Sequence, residues 1–406
     1  MTHTTYDVAI IGGGIHGCST AYHLARRGVR VVVLEADYCA RHASGVNAGG
    51  VRTLGRKIEE IPLSLASSQM WHTLSKTLGH DAGFYTGGQI KVAESADDIA
   101  ILQARTDLLA AHGFTHEVML DAQQTRERLP AISPHVVGAS WVERDGFAIP
   151  FKAVTAFRRA AQDLGTTVIE NFRVTGIEQR NSQWVVQGPG ATVGAEYVVM
   201  AAGAWSGQLS LALGEPMPVE PGGLMLMVTQ RLPHFVDPVV GATSRGLSFK
   251  QFDNGTVVIG GELHCDVDLA ASHAELNFSR LANSARIVTD LFPFLKNVSL
   301  NRAWSGVEGF TPDKLPIIGA SPGRDKLFYV CGFSASGFQL GPASGRAVSE
   351  LLLDGASSVP IDGLSPKRFS SPSRPRSKIS QSQPAPATHT PSRPMLQDQR
   401  LVRSGL

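Results

Sequence analysis

Cysteine is scarce in this chain. The 406 residues hold four, Cys18, Cys39, Cys265 and Cys331, with no pair at CxxC or other ligand spacing. That excludes a disulfide scaffold, a zinc ribbon and a cysteine-ligated iron–sulfur cluster, and leads to the expectation of reduced thiols in a cytoplasm. No apolar run is long enough for a membrane span. The N-terminus enters its first strand almost at once, so a secretory leader is not expected. Charge is also thin, at 18% of residues, and the formal net charge of +2 is unevenly spread. From Ser370 to Leu406, Arg374, Arg376, Lys378, Arg393, Arg400 and Arg403 face only Asp398, so this tail carries +5 and the body about −3. A mildly acidic body gives no reason to expect nucleic-acid binding.

Glycine, by contrast, is plentiful, and its placement carries the first positive signal. Val8 to Ile11 is a short apolar run of the kind that forms a buried parallel strand. GGGIHG follows, with Gly12, Gly14 and Gly17 in GxGxxG register, and leads into a helix from about His16 to Arg27. Gly28 stops that helix, Val31 to Leu34 is a second buried strand, and Glu35 closes it. In such a unit the first glycine makes the tight turn and the second lets a pyrophosphate approach the backbone. The third lets helix and strand pack closely, while the helix N-terminus offers unpaired N–H groups. Glu35 stands 21 residues past Gly14, where a carboxylate accepts hydrogen bonds from ribose hydroxyls and repels a 2′-phosphate.

The chain is long for one core, which predicts two domains. ASGVNAGGVR, Ala43 to Arg52, crowds small residues around Asn47 and lets backbone come close to something flat or phosphorylated. A helix is predicted over Leu63 to Leu78, and two strands around Gly87 and Gly88. Asp97 to Ala111 follows as a helix with Ala96 or Asp97 near its N-cap, then a strand over Val137 to Val142. Phe151 to Leu164 is an amphipathic helix behind Pro150. Glu196 to Ser206 is an apolar strand running into a small-residue turn. Glu275 to Leu291 reads as helical, Lys326 to Cys331 as a strand, and Ala343 to Leu353 as a closing helix. The whole predicts an α/β nucleotide-binding domain in three pieces (1–80, 146–215 and 301–369), interrupted by an antiparallel β-rich domain (81–145 and 216–300). From Ser370 onward Ser, Pro, Gln and Arg dominate without periodicity, which predicts disorder.

Four segments in this order, DVAIIGGGIHG, ASGVNAGGVR, VVMAAGAWS, and TPDKLPIIG followed by GFSASGFQLGPASG, resemble the D-amino-acid oxidase-like flavoprotein superfamily. The likeness runs from about Tyr6 to Phe369. It is strongest to the sarcosine and glycine oxidase branch, and within it to the catalytic subunits of bacterial opine and D-hydroxyproline dehydrogenases. It implies a Rossmann-like FAD-binding domain beside a substrate domain, and FAD as cofactor. At the adenosine and pyrophosphate it implies Gly12, Gly14, Ile15, His16, Gly17, Glu35 and Ala36, with the Val174 backbone facing the adenine. At the flavin it implies Ser44, Gly45, Asn47, Ala48, Gly49, Ala202, Gly203, Trp205, Gly332, Phe333, Gly337, Phe338 and Gln339. Relatives with covalent flavin use a cysteine near Gly306 or a histidine near Asn47, so the resemblance implies FAD held without a covalent bond. The usual GFSGHGF reads GFSASGF here, with Ala335 and Ser336 in place of a Gly-His pair.

The chemistry so implied is oxidation of the C–N bond of an amino acid or N-substituted amino acid to an imine, with hydride passing to flavin N5. Arg52 matches the arginine that relatives use for carboxylate or flavin-edge contacts, and the alternative reading is a solvated loop arginine. Lys250, in GLSFKQF, lies in the region where sarcosine oxidase-like enzymes carry an oxygen-activating lysine, and the alternative reading is a plain surface lysine. Gln339 stands where some relatives place a second carboxylate-binding lysine. The competing classes are an FAD-dependent hydroxy-acid dehydrogenase and a non-catalytic FAD-bearing subunit of an oxidoreductase complex. The resemblance admits partner subunits beside a small amino-acid substrate, and no metal.

Overall fold

The computed structural model describes residues 4–370, and the tail predicted to be disordered lies outside them apart from Ser370. Its organising element is an eight-stranded sheet. Thr4–Ile11 sits between Val31–Leu34 and Ala191–Met200, all parallel, with Val8 opposite Val31 and Tyr197. Thr167–Ile169 extends one side and Leu327–Cys331 the other, again parallel. Alternation in Thr4–Ile11 then divides two cores. Val8 and Ile10 face the helices Ile15–Ala25, Pro150–Asp163 and Gly337–Asp354, whereas Ala9 and Ile11 face Trp184, Met200 and Tyr329. Burial on both faces explains the unbroken apolar run VVVL, because neither face has to meet water.

A nine-stranded sheet supplies a third core. Its strands are antiparallel except where Gln89–Ala93 runs parallel to Val239–Ala242, with Gln89 opposite Val239. That one pair joins the first inserted stretch to the second. Leu300–Phe310 pairs along the full length of Glu220–Thr229 and so belongs to this sheet. The two strands around Gly87 and Gly88 exist but do not form a hairpin. Phe84–Thr86 pairs with Gly146–Ala148 in a three-stranded sheet that also takes Gly50–Val51, while Gln89–Ala93 crosses into the large one.

The predicted helix starts shift by one to six residues, and three of the shifts are instructive. The N-cap of Ala96–Ala111 is Ser95, whose hydroxyl accepts the Asp98 N–H at 3.2 Å. The helix expected from Glu275 begins at Phe278, because Asn277 caps it through the Arg280 N–H at 3.1 Å. The closing helix begins at Gly337 rather than Ala343 and carries Pro342 inside it. A proline costs a helix one internal bond, but this helix gains packing in exchange. A Cβ at Gly341 would come within 2.6 Å of Ile15, and one at Gly345 within 2.3 Å of Ser19. The small-residue face thus lets it lie directly on helix Ile15–Ala25. Among the described residues no helix is long and apolar enough to cross a membrane.

Candidate functional site

The first cavity opens at the carboxyl ends of the parallel strands, where open α/β sheets place their ligands. Gly12, Gly14, His16, Glu35, Ala36, Ser44, Val174, Ala202, Gly203, Trp205, Gly332, Phe333 and Gly337 all line it. Its floor is a turn that tolerates no side chain. A Cβ at Gly12 would lie 2.4 Å from the Ala201 carbonyl oxygen, and one at Gly17 only 2.0 Å from that of Gly12. Ser44 reaches across to cap the helix, its Oγ accepting the Ile15 N–H at 3.0 Å. Glu35 clamps the turn, accepting Gly13 N–H through Oε2 at 2.6 Å and Asp37 N–H through Oε1 at 2.9 Å. Burial raises its pKa against the pull of those two bonds. His16 stacks on Phe333 with ring centroids 3.6 Å apart. Burial keeps it neutral, with a pKa of about 3, and its Nδ1 has no partner among the described residues.

The second cavity has a different lining. Asn47, Ala48, Arg52 and Phe338 line it, together with Arg56, Gln89, Lys91, Met225, Arg245, Glu262 and Ala335. Asn47 holds the intervening loop, donating to the Ala43 and Ser44 carbonyls and accepting the Gly49 N–H at 2.6 Å. Arg52 is half-buried and donates one bond to the Leu54 carbonyl at 2.9 Å. Arg56 is only 2% exposed. Its Nε donates to the Arg52 carbonyl and its Nη2 to Gln339 Oε1, both at 3.1 Å, and its Nη1 is buried without a partner among the described residues. Burial foremost, then the nearby Arg52, brings the Arg56 pKa down to about 9. Burial and then Arg52 likewise lower that of Lys91. Arg245 is neutralised by Glu94 and Asp290. Arg52, Arg56 and Lys91 have no carboxylate at ion-pair distance among the described residues. Among those residues only Ala43 and Glu308 line both cavities.

The sequence profile described as DAO, FAD dependent oxidoreductase, matches residues 7–351. The chain belongs to this family of FAD-dependent oxidoreductases. It is 29% identical over 360 residues to the beta chain of sarcosine oxidase from Rhizobium meliloti (strain 1021), covering 86% of this chain and 85% of that protein. It is 29% identical over 321 residues to an opine oxidase subunit, the one designated B, of Rhizobium meliloti, covering 77% and 84%. Among solved structures, L-proline dehydrogenase from P. horikoshii superposes with a TM-score of 0.85 at 25% identity, over 91% of this chain and 99% of that one.

The residues present fit FAD. Main chain at Gly12 and Gly14 is open to a pyrophosphate, where a Cβ at Gly14 would already crowd Ser44 Oγ at 2.9 Å. The capped helix N-terminus faces the same space, and Glu35 and Ala36 line its far end. Five residues expected at the cofactor do not line either cavity but shape the wall. Ile15 contributes its N–H, and Gly17 its lack of a side chain. At Gly45 and Gly49 a Cβ would meet the Ala40 and Ala148 carbonyls at 1.8 and 2.1 Å. Gln339 is turned away, its amide bonded to Arg56 and Ser64. Lys250 is fully buried rather than a surface lysine; its ammonium donates to the Ala48 carbonyl, and it lines neither cavity. Burial brings its pKa down to about 7.

Sequence reading passed over Arg56, Lys91 and Glu308. Arg56 had a visible signal, lying four residues after Arg52 in the same glycine-rich stretch. Lys91 and Glu308 had none, since each sits in a strand whose facing direction depends on the pairing of a distant one.

Proposed function

We propose that this chain oxidises the C–N bond of an amino acid or N-substituted amino acid to an imine, using non-covalently bound FAD. The observation that carries this reading is the meeting of two unlike cavities. One is a main-chain cradle for a dinucleotide, and the other holds three cations without carboxylate partners among the described residues. When bound, FAD supplies the two-electron oxidant for a C–H bond next to nitrogen. The chain's own contribution is orientation. Arg52, with Arg56 and Lys91 behind it, is the anchor for the substrate carboxylate, and a guanidinium fork suits that planar group. Water then hydrolyses the released imine to an oxo acid and an amine.

The names of the relatives support the substrate class, since they include components of a sarcosine oxidase and of an opine oxidase. They also support a partner subunit for this chain. The cysteines Cys18, Cys39, Cys265 and Cys331 are free, which supports a cytoplasmic setting. The nucleotide-binding and β-rich domains of the sequence reading are kept as the proposed division of labour between the two cavities.

The test is a substrate screen on the yellow protein without O2. Bleaching by N-substituted or free amino acids is the expected result. Bleaching by hydroxy acids instead transfers the reading to the hydroxy-acid dehydrogenases, and bleaching by neither leaves a FAD-bearing structural subunit. Acid precipitation tests the mode of attachment: a colourless pellet is expected, and a yellow one overturns it.

A further inference from the structure

We propose that Glu308 is the residue that receives the substrate's amine. The inference rests on the amino-acid reading of the site. If a carboxylate is held by Arg52 and its neighbours in the second cavity, and the C–N bond must come within reach of a cofactor in the first, then the nitrogen lies at the seam. Ala43 and Glu308 are the residues common to both cavity walls, and Ala43 has no polar side chain. Glu308 is therefore the titratable side chain at the seam.

Its setting suits that task. Strand Leu300–Phe310 carries it, and the rigid pairing of Gly222 with Glu308 fixes its direction. Oε1 accepts the Ala335 N–H at 2.6 Å, which leaves Oε2 without a partner among the described residues. Ala335 and the preceding Ser334 adopt φ of 67° and 49°, so the turn that orients the carboxylate is itself held in a left-handed conformation. Glu262, the other acid lining the second cavity, is exposed and belongs to that cavity alone. Burial lifts the Glu308 pKa to about 7, against the single backbone bond. A carboxylate poised there can pair with an ammonium and can also take one of its protons. In that transfer an N–H bond of the ammonium breaks, an O–H bond forms on Glu308, and the amine keeps the electron pair that the later oxidation needs. The opposite charges of Arg52 and Glu308 in the lining of this cavity also set the polarity of the substrate: carboxylate toward Arg52, amine toward Glu308.

Binding separates this role from a structural one. The holoenzyme would be titrated by calorimetry with α-methylated amino acids of rising size, beginning with 2-aminoisobutyrate, which have no α-hydrogen to lose. Each is compared with the carboxylate in which a methyl replaces the amine, pivalate for the first. Wild type should prefer the amine by at least tenfold, and Glu308→Gln should lose that preference while binding pivalate as before, with FAD content unchanged. An amine preference retained in Glu308→Gln overturns the role of Glu308 and leaves the amino-acid reading standing. No preference in wild type across the series overturns both. If Glu308→Gln loses FAD, Glu308→Asp is the second variant: its shorter carboxylate should keep part of the preference, and a preference equal to that of wild type overturns the proposal.

Discussion

The two cavities recognise their ligands by different means. The first presents main-chain turns at Gly12, Gly203 and Gly332 and a capped helix end, beside the rings of His16, Trp205 and Phe333 and the charged Glu35, Asp37, Arg41 and Arg173. The second is walled by long charged side chains drawn from the loop after Gly50, from strand Gln89–Ala93 and from the segments after Val239 and Gly260. Main-chain recognition depends on the absence of side chains at set spacings, and it fails when a single atom is added. Side-chain recognition depends on charges that neighbours leave uncompensated, and it degrades by degrees. The first cavity therefore suits one fixed cofactor, whereas the second can be retuned for another substrate without disturbing the first.

The sharpest way to break that contrast is Gly17→Leu. Its Cβ would sit on the Gly12 carbonyl, a backbone atom with nowhere to move, so FAD should be lost altogether. Absorbance per mole of protein reads this, and near-normal flavin content would show that the turn yields.

Lys250 tests the boundary between the cavities, since it is fully buried and supports Ala48 from behind. Its folded pKa of about 7 lies below the usual 10.5, so between those values the unfolded chain binds the extra proton. Stability then rises with pH across that window, by up to about 1.4 kcal/mol per pH unit, and the full cost of the buried ammonium is present below pH 7. Melting curves from about pH 6 to 10 should show wild type gaining on Lys250→Met as pH rises. Parallel curves would mean that the ammonium titrates normally.

Arg52→Ala should raise the substrate KM or Kd by roughly 10- to 100-fold, from the loss of about 1.5–3 kcal/mol for a charge-assisted contact. Arg52→Lys should be intermediate because it keeps charge but loses the fork. Flavin content should stay at the wild-type level in both. Loss of FAD would move Arg52 to the first cavity's side of the comparison, and unchanged kinetics would leave Arg56 and Lys91 as the anchor.

The smallest effect belongs to Ser44→Ala. It removes the acceptor of the Ile15 N–H, which should weaken FAD binding by about 0.5–1.5 kcal/mol while leaving substrate affinity per bound FAD unchanged. A dialysis series with flavin fluorescence measures it. A shift in substrate affinity as well would show that the Ala43–Asn47 loop couples the two sites.

Legibility followed the same division. The glycine register, Glu35, the ASGVN loop and the small turns at Gly203 and Gly332 could be read in order, because each is a local requirement on backbone. The place of Arg52 on a cavity wall was legible for the same reason, as the end of a glycine-rich approach. Lys250 was not. In GLSFKQF nothing local separates a lysine on the solvent face from one beneath a loop, and the pairing of Lys250 with Val258 settles which face it takes. The start of the closing helix was hidden by Pro342, which usually marks a first turn and here lies inside because Gly341 and Gly345 let two helices touch.

By itself the sequence determined a nucleotide cradle and an α/β sheet buried on both faces, since glycine spacing and apolar runs act over a few residues, and four segments in order carried the resemblance to the flavoprotein family. Only the tertiary structure decided which charges meet. Arg56 pairs with Gln339 across 283 positions, and Glu308 reaches the turn at Ala335 across 27. The crossing of Gln89–Ala93 against Val239–Ala242 brings Lys91 to the cavity wall that Arg52 shares. Strand pairing sets those neighbours, and a strand's own residues carry no record of which distant partner lies beside it.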